Sequence, residues 1–194
     1  MPSSGAVRRG RAARGAGPVV AERKSYITRA GFEKLRAELD FLWKEERPRV
    51  TQAVSVAAAL GDRSENADYI YGKKRLREVD RRIRFLVRRL DQAQVVDPAQ
   101  RAGAEDDDRV YFGATVDVVG ASGGQRTVSI VGVDEIDTAR GYISWVSPMA
   151  RALIKAREGD TVTLQTPAGT EELEIAAVRY VTLATGRWTD GRRG

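Results

Sequence analysis

The sequence predicts a two-domain α+β chain: an N-terminal antiparallel coiled-coil helical hairpin, then a small antiparallel β-sheet domain with one short helix. Three observations carry that prediction. Apolar residues recur at 3,4 spacing through the first half, the period drops to two beyond residue 109, and a polar stretch separates the two regimes. Composition narrows the chemistry at the same time. The 194 residues contain no Cys and no His, which removes disulfides, thiol nucleophiles, Cys/His zinc sites and any Ser-His-Asp triad. Chemistry must then run on carboxylates, hydroxyls, amines or a metal held by oxygen.

The formal charge of +6 conceals a polarity. Residues 1–25 carry a net +5, residues 26–97 +4, residues 98–186 −5 and residues 187–194 +2. Residues 1–24 are Gly, Ala, Arg and Ser with almost no large apolar side chain, so they are expected to form a disordered basic arm. No run approaches the roughly 18 apolar residues of a membrane span. A soluble, cytoplasmic monomer with no membrane partner is expected, with DNA as one candidate partner for the basic tails.

The hairpin is expected over 25–97. Phe32, Leu35, Leu39 and Leu42 open the first seam, and Ala53, Val56 and Leu60 are expected to resume the same register. Glu46 and Arg49 fall at seam positions between them, and Pro48 should kink the helix. Leu76, Val79, Ile83, Leu86 and Leu90 form the second seam, with Tyr69 and Gly72 in register behind them. Two such helices joined by a few residues fold back antiparallel. At about 28–32 residues each, they make an arm roughly 40–48 Å long.

A linker, 98–108, contains Glu105-Asp106-Asp107-Asp108, and a compact domain is expected over 109–181. Its strands are predicted at 110–119, 127–133, 142–146, 161–165 and 173–181, with Ala-Ser-Gly-Gly and Pro-Ala-Gly as turns. Ser147 followed by Pro148 reads as an N-cap and first helical residue, opening a helix over 149–156. Residues 182–194 are expected to be a flexible tail. Trp43 and Trp145 fit packing positions rather than a stacking platform for single strands.

Two patterns carry candidate chemistry. Asp62 and Glu65 stand three apart at the hairpin tip, just before the second helix. That is the spacing of a capping box, with Asp62 as N-cap and Glu65 at N3. The bland capping role is the commoner meaning of this spacing; the functional one is two carboxylates on an exposed tip, able to share a divalent cation if another molecule completes its six oxygens. Asp68 could assist either role. Between 73 and 89, nine basic residues face only Glu78 and Asp80. Lys74, Arg77, Arg81, Arg84 and Arg88 follow 3,4,3,4 spacing opposite the seam, flanked by Arg75, Arg82 and Arg89, and Lys73 is the ninth. Solvated helix faces usually mix signs, because like charges at i,i+4 repel. A stripe of one sign favours contact with a polyanion, without sequence readout.

The strings Leu42-Trp43-x-Glu45-Glu46-Arg47-Pro48, Leu60-Gly61-Asp62-Arg63-Ser64-Glu65-Asn66-Ala67-Asp68-Tyr69 and Lys73-Lys74-Arg75-Leu76-Arg77-Glu78 resemble the bacterial Gre transcript-cleavage factors. Ser147-Pro148-Met149-Ala150-Arg151-Ala152-Leu153 and Thr166-Pro167-Ala168-Gly169 are similar to the same family, and the branch with the denser basic stripe, GreB, is the nearer one. The resemblance covers about residues 25–181. It implies a transcription elongation factor that docks on RNA polymerase through an FKBP-like C-terminal domain, with Ser147 and Pro148 in the docking loop, and inserts its hairpin in the secondary channel. Asp62 and Glu65 would then help hold a second Mg²⁺ beside the polymerase's own, and the polymerase would cut the 3′ end of backtracked nascent RNA. Lys73, Lys74, Arg77 and Arg81 would hold the RNA phosphates. The factor would not be a stand-alone enzyme and would bind no Mg²⁺ by itself. Val146 stands where the family usually carries an acid. Two other readings fit the residues: a channel-binding regulator without cleavage activity, and a nonspecific DNA-binding protein acting through the basic arm.

Overall fold

The computed structural model describes residues 25–60, 66–167 and 169–184. The expected arm 1–24 and most of the tail, with Trp188, lie outside them. Strand β1 (Ser25–Thr28) runs into helix α1 (Arg29–Phe41), which Thr28 caps by accepting the Gly31 N–H at 3.0 Å. A π-helical segment, Leu42–Glu46, joins α1 to α2 (Arg47–Ala59) without a break. The 31 helical residues span roughly 46 Å. Helix α3 (Ala67–Asp91) returns antiparallel, and its 25 residues span roughly 37 Å, somewhat less than expected.

The π segment changes the register of the hairpin. Pro48 has no N–H to offer the carbonyl four residues back, and its ring crowds that carbonyl. The turn widens instead, and Arg47 donates to the Leu42 carbonyl five residues back. One extra residue in the turn moves every later side chain around by one position. Val50 and Ala57 are therefore buried and Val54 half-buried, whereas Val56 and Leu60, expected on the seam, are 52% and 76% exposed. Ala53 and Arg49 likewise face solvent. Trp43 was expected to pack; it is 60% exposed, one position past the buried Leu42. The α3 seam lies where expected, with Val79, Ile83 and Leu86 buried.

Glu46 keeps its seam position and is only 4% exposed. It survives there because Arg49 reaches one carboxylate oxygen at 2.7 Å and Arg75, across the hairpin, reaches the other at 3.2 Å. Arg47–Asp80 at 2.9 Å and Arg82–Glu38 at 2.6 Å are further cross-hairpin pairs.

After α3, strand β2 (Ala93–Val96) pairs parallel with β1, Ser25 opposite Ala93 and Thr28 opposite Val96. This pair closes the hairpin's base. The acidic segment that follows is tied down: Arg101 lies 4.0 Å from the Tyr111 ring centroid and 2.7 Å from both Asp106 oxygens. The Asp108 oxygens accept from Arg157 at 2.8 Å. The second domain comprises β3 (Thr115–Gly120), β4 (Gln125–Val131), β5 (Tyr142–Ser144), helix α4 (Pro148–Leu153), β6 (Thr161–Thr166) and β7 (Gly169–Arg179). The strand order is β5-β4-β3-β7-β6. The sheet is mixed rather than wholly antiparallel, because β5 runs parallel to β4 after the chain crosses back through residues 132–141. Residues 110–114, expected within the first strand, form a turn that buries Val110 and Ala114 beside it. Val116, Val118, Ile130, Leu173 and Ile175 from the sheet close on Leu153 of α4 as one core.

Candidate nucleic-acid interface and tip

Asn66 fixes where α3 begins. Its side-chain oxygen accepts the Tyr69 N–H at 3.1 Å, and its amide donates to the Ala57 carbonyl at 2.8 Å. One side chain thus caps α3 and satisfies an end carbonyl of α2, two groups that helix termini leave without partners. A capping box with Asp62 as N-cap is therefore not how α3 starts, since Asn66 takes that position. Asp62 and Glu65 themselves lie outside the described residues. Asp68 is exposed in the first turn of α3.

The basic residues of α3 divide into two sets that sequence spacing does not separate. Arg75, Arg82 and Arg89 are held by Glu46, Glu38 and Asp134, the last at 3.3 Å. The hydrogen bonds that Arg82 donates to the Glu38 carboxylate outweigh burial and hold the guanidinium even more firmly protonated than usual. Lys74, Arg77, Arg81, Arg84 and Arg88 are exposed, and among the described residues none of them makes an ion pair. Lys73 is exposed as well, its ammonium 5.2 Å from the Tyr69 ring centroid. From Lys73 to Arg88 this open face extends roughly 22 Å along the helix. The spacing of Glu38 and Glu46 on the opposing helix is the signal that sorts Arg75 and Arg82, whereas the partner of Arg89, Asp134, lies in the sheet domain far along the sequence.

Ser147 caps α4 by accepting the Ala150 N–H at 3.2 Å, and Pro148 occupies the first helical position. Val146 and Pro148 are exposed on either side of the half-buried Ser147. This loop belongs to the sheet domain and takes no part in the basic face. Trp145 beside it does pack: it is half-buried against the sheet core and meets Tyr26 edge-on at 5.4 Å. Among the described residues no group of three or more acids could hold a metal ion, and no helix is long and apolar enough to cross a membrane.

Comparison with known proteins agrees with this layout. Residues 25–95 match the family described as transcription elongation factor, N-terminal, and residues 105–180 match transcription elongation factor, GreA/GreB, C-term. Transcription elongation factor GreB of Neisseria meningitidis serogroup A is 58% identical over 82% of this chain and 96% of its own length. Its counterpart in Yersinia pestis is 54% identical over 81% of this chain and 90% of its own. The solved GreA factor homolog 1 protein of Thermus thermophilus is 24% identical over 81% of this chain, with a TM-score of 0.37; the fold given above rests on this chain's own elements. The chain belongs to the GreA/GreB family of transcription elongation factors.

Proposed function

We propose that this protein binds bacterial RNA polymerase, enters its secondary channel with the hairpin, and stimulates cleavage of the 3′ end of backtracked nascent RNA. The observation that carries the reading is the face of exposed cations on α3, which make no ion pair among the described residues and lead in sequence toward Asp62 and Glu65. Lys73, Lys74, Arg77 and Arg81 hold phosphates of the extruded RNA as point charges, independent of its sequence. Ser147, Pro148 and the rim of α4 dock the sheet domain on the polymerase.

The donor set at the tip fits Mg²⁺ in type and falls short in number. Two carboxylates are hard oxygen ligands, but Mg²⁺ takes about six in near-octahedral geometry, so the remainder must come from the polymerase and water. Bound there, the ion would stabilise charge on the attacking and leaving oxygens of an in-line displacement. Asp62 and Glu65 supply ligand oxygens and orient the attacking water, while the cations of α3 keep the RNA end from sliding away. The protein is in this sense a positioning factor for the polymerase's own nuclease, and its place of action is the cytoplasm.

The test is a stalled, backtracked elongation complex in Mg²⁺ with the transcript labelled at its 5′ end. Addition of the protein should shorten the transcript much faster than polymerase alone does. Binding with no added shortening would refute the reading and favour a channel-binding regulator.

A further inference from the structure

We propose that Glu135 is a positioning residue, a buried latch that sets the angle between the hairpin and the sheet domain and so aims the tip; this rests on the function proposed above. Glu135 lies in the connection after β4 and is 7% exposed. One carboxylate oxygen accepts the Thr28 N–H at 3.0 Å and the Gly132 N–H at 2.9 Å. The other accepts the Thr28 hydroxyl. Thr28 is itself 1% exposed and is the N-cap of α1. The carboxylate of one domain therefore grips the residue that starts the long helix of the other, and it sits at the positive end of that helix.

The chain makes room for this contact at two glycines. A Cβ on Gly31 would overlap the Glu135 carboxylate. A Cβ on Gly132 would lie 2.6 Å from Glu135 Oε2 and 2.8 Å from the Tyr26 carbonyl. A merely convenient surface ion pair would not need two bare backbone positions around it. Tyr26 against Phe112 at 5.5 Å and Arg89 against Asp134 at 3.3 Å brace the same joint from outside.

Leverage gives the contact its consequence. A tilt of about 5° at the base moves the far end of an arm roughly 46 Å long by about 4 Å. Misplacement of reacting groups by even about 1 Å can slow a reaction on the order of a hundredfold. Loss of the latch should therefore leave docking nearly intact and slow cleavage at saturating factor by about tenfold or more.

The chain has no cysteine, so Ser55→Cys on α2 and Thr163→Cys on β6 allow two spin labels and a distance distribution in the free protein. Wild type should give one narrow distance. Glu135→Ala should broaden it while keeping a cooperative melt, bind polymerase within threefold of wild type, and lose cleavage rate at saturation. Glu135→Gln, which keeps an acceptor for the two amides, should restore both the width and the rate. Should Glu135→Ala fail to fold, Gly132→Ala serves: it should shift the mean distance and slow cleavage without broadening. An unchanged distribution in these variants, or a changed one with undiminished cleavage, overturns the proposal. Wild-type protein that fails to shorten transcripts overturns the functional reading instead. The distance measurement needs no polymerase, so the two failures are distinguishable.

Discussion

Replacing Gly72 by Ala tests the register of the hairpin through the sign of its effect. In an open helix interior the change should stabilise by about 1 kcal/mol, because Gly loses more backbone freedom on folding. Here a Cβ on Gly72 would lie 2.7 Å from Val54 Cγ2, about 1 Å inside ordinary carbon–carbon contact. Val54 is β-branched and holds essentially one rotamer on a helix, so it cannot step aside cheaply. Overpacking of this kind costs about 1–3 kcal/mol. The net expectation is a loss of up to about 2 kcal/mol after the helix-propensity gain. Val54→Ala removes the obstacle, so the double variant should be more stable than the two single effects predict, with coupling of about 1–2 kcal/mol. Urea unfolding followed by helical circular dichroism measures all three. If Gly72→Ala stabilises the hairpin and adds independently to Val54→Ala, the one-residue shift at the π segment is refuted.

Three other outcomes follow from single contacts. Asn66→Ala should destabilise the hairpin by about 1–2 kcal/mol and speed amide exchange at Tyr69, while Asn66→Asp should keep the cap and lose only the bond to Ala57. Lys155 is the one non-glycine residue with positive φ among those described, at 78°, so Lys155→Gly should raise the melting temperature by relieving about 1 kcal/mol of backbone strain. Burial pushes the Glu46 carboxyl upward, but its hydrogen bonds from Arg49 and Arg75, aided by their charges, bring it below the usual glutamate range. Its contribution to stability is thus complete above the unfolded glutamate pKa and is lost as pH falls through the lower folded value. Glu46→Gln should remove that part of the acid-induced loss in a pH series of thermal melts.

Local chemistry made much of this molecule legible in its residues. The α3 seam, the Ser147-Pro148 start of α4 and the turn at 121–124 all follow from periodicity, cap and turn residues acting over a few positions. Pro48 marked the place of the irregularity in the first helix, but not that the turn would widen and rotate Ala53, Val56 and Leu60 out of the seam. The pairing of residues 25–28 with 93–96 was invisible because four-residue strands show no period and their partners lie far apart in sequence. Glu135 looked like one acid among several in an acidic domain. Only the fold brings it against Thr28, Gly31 and Gly132. Asp62 and Glu65 stand as a spaced pair of acids in the sequence and lie outside the described residues, while the cap of α3 belongs to Asn66.

The role proposed for Asp62 and Glu65 lies in the polymerase's cleavage reaction and not in binding. Cleavage rates of a backtracked complex at saturating protein, with wild type and with Asp62→Ala/Glu65→Ala, measure this directly. The double variant should bind polymerase as wild type does and yield a rate close to that of polymerase alone, at all but the highest Mg²⁺. Wild-type cleavage by the double variant at limiting Mg²⁺ would contradict it.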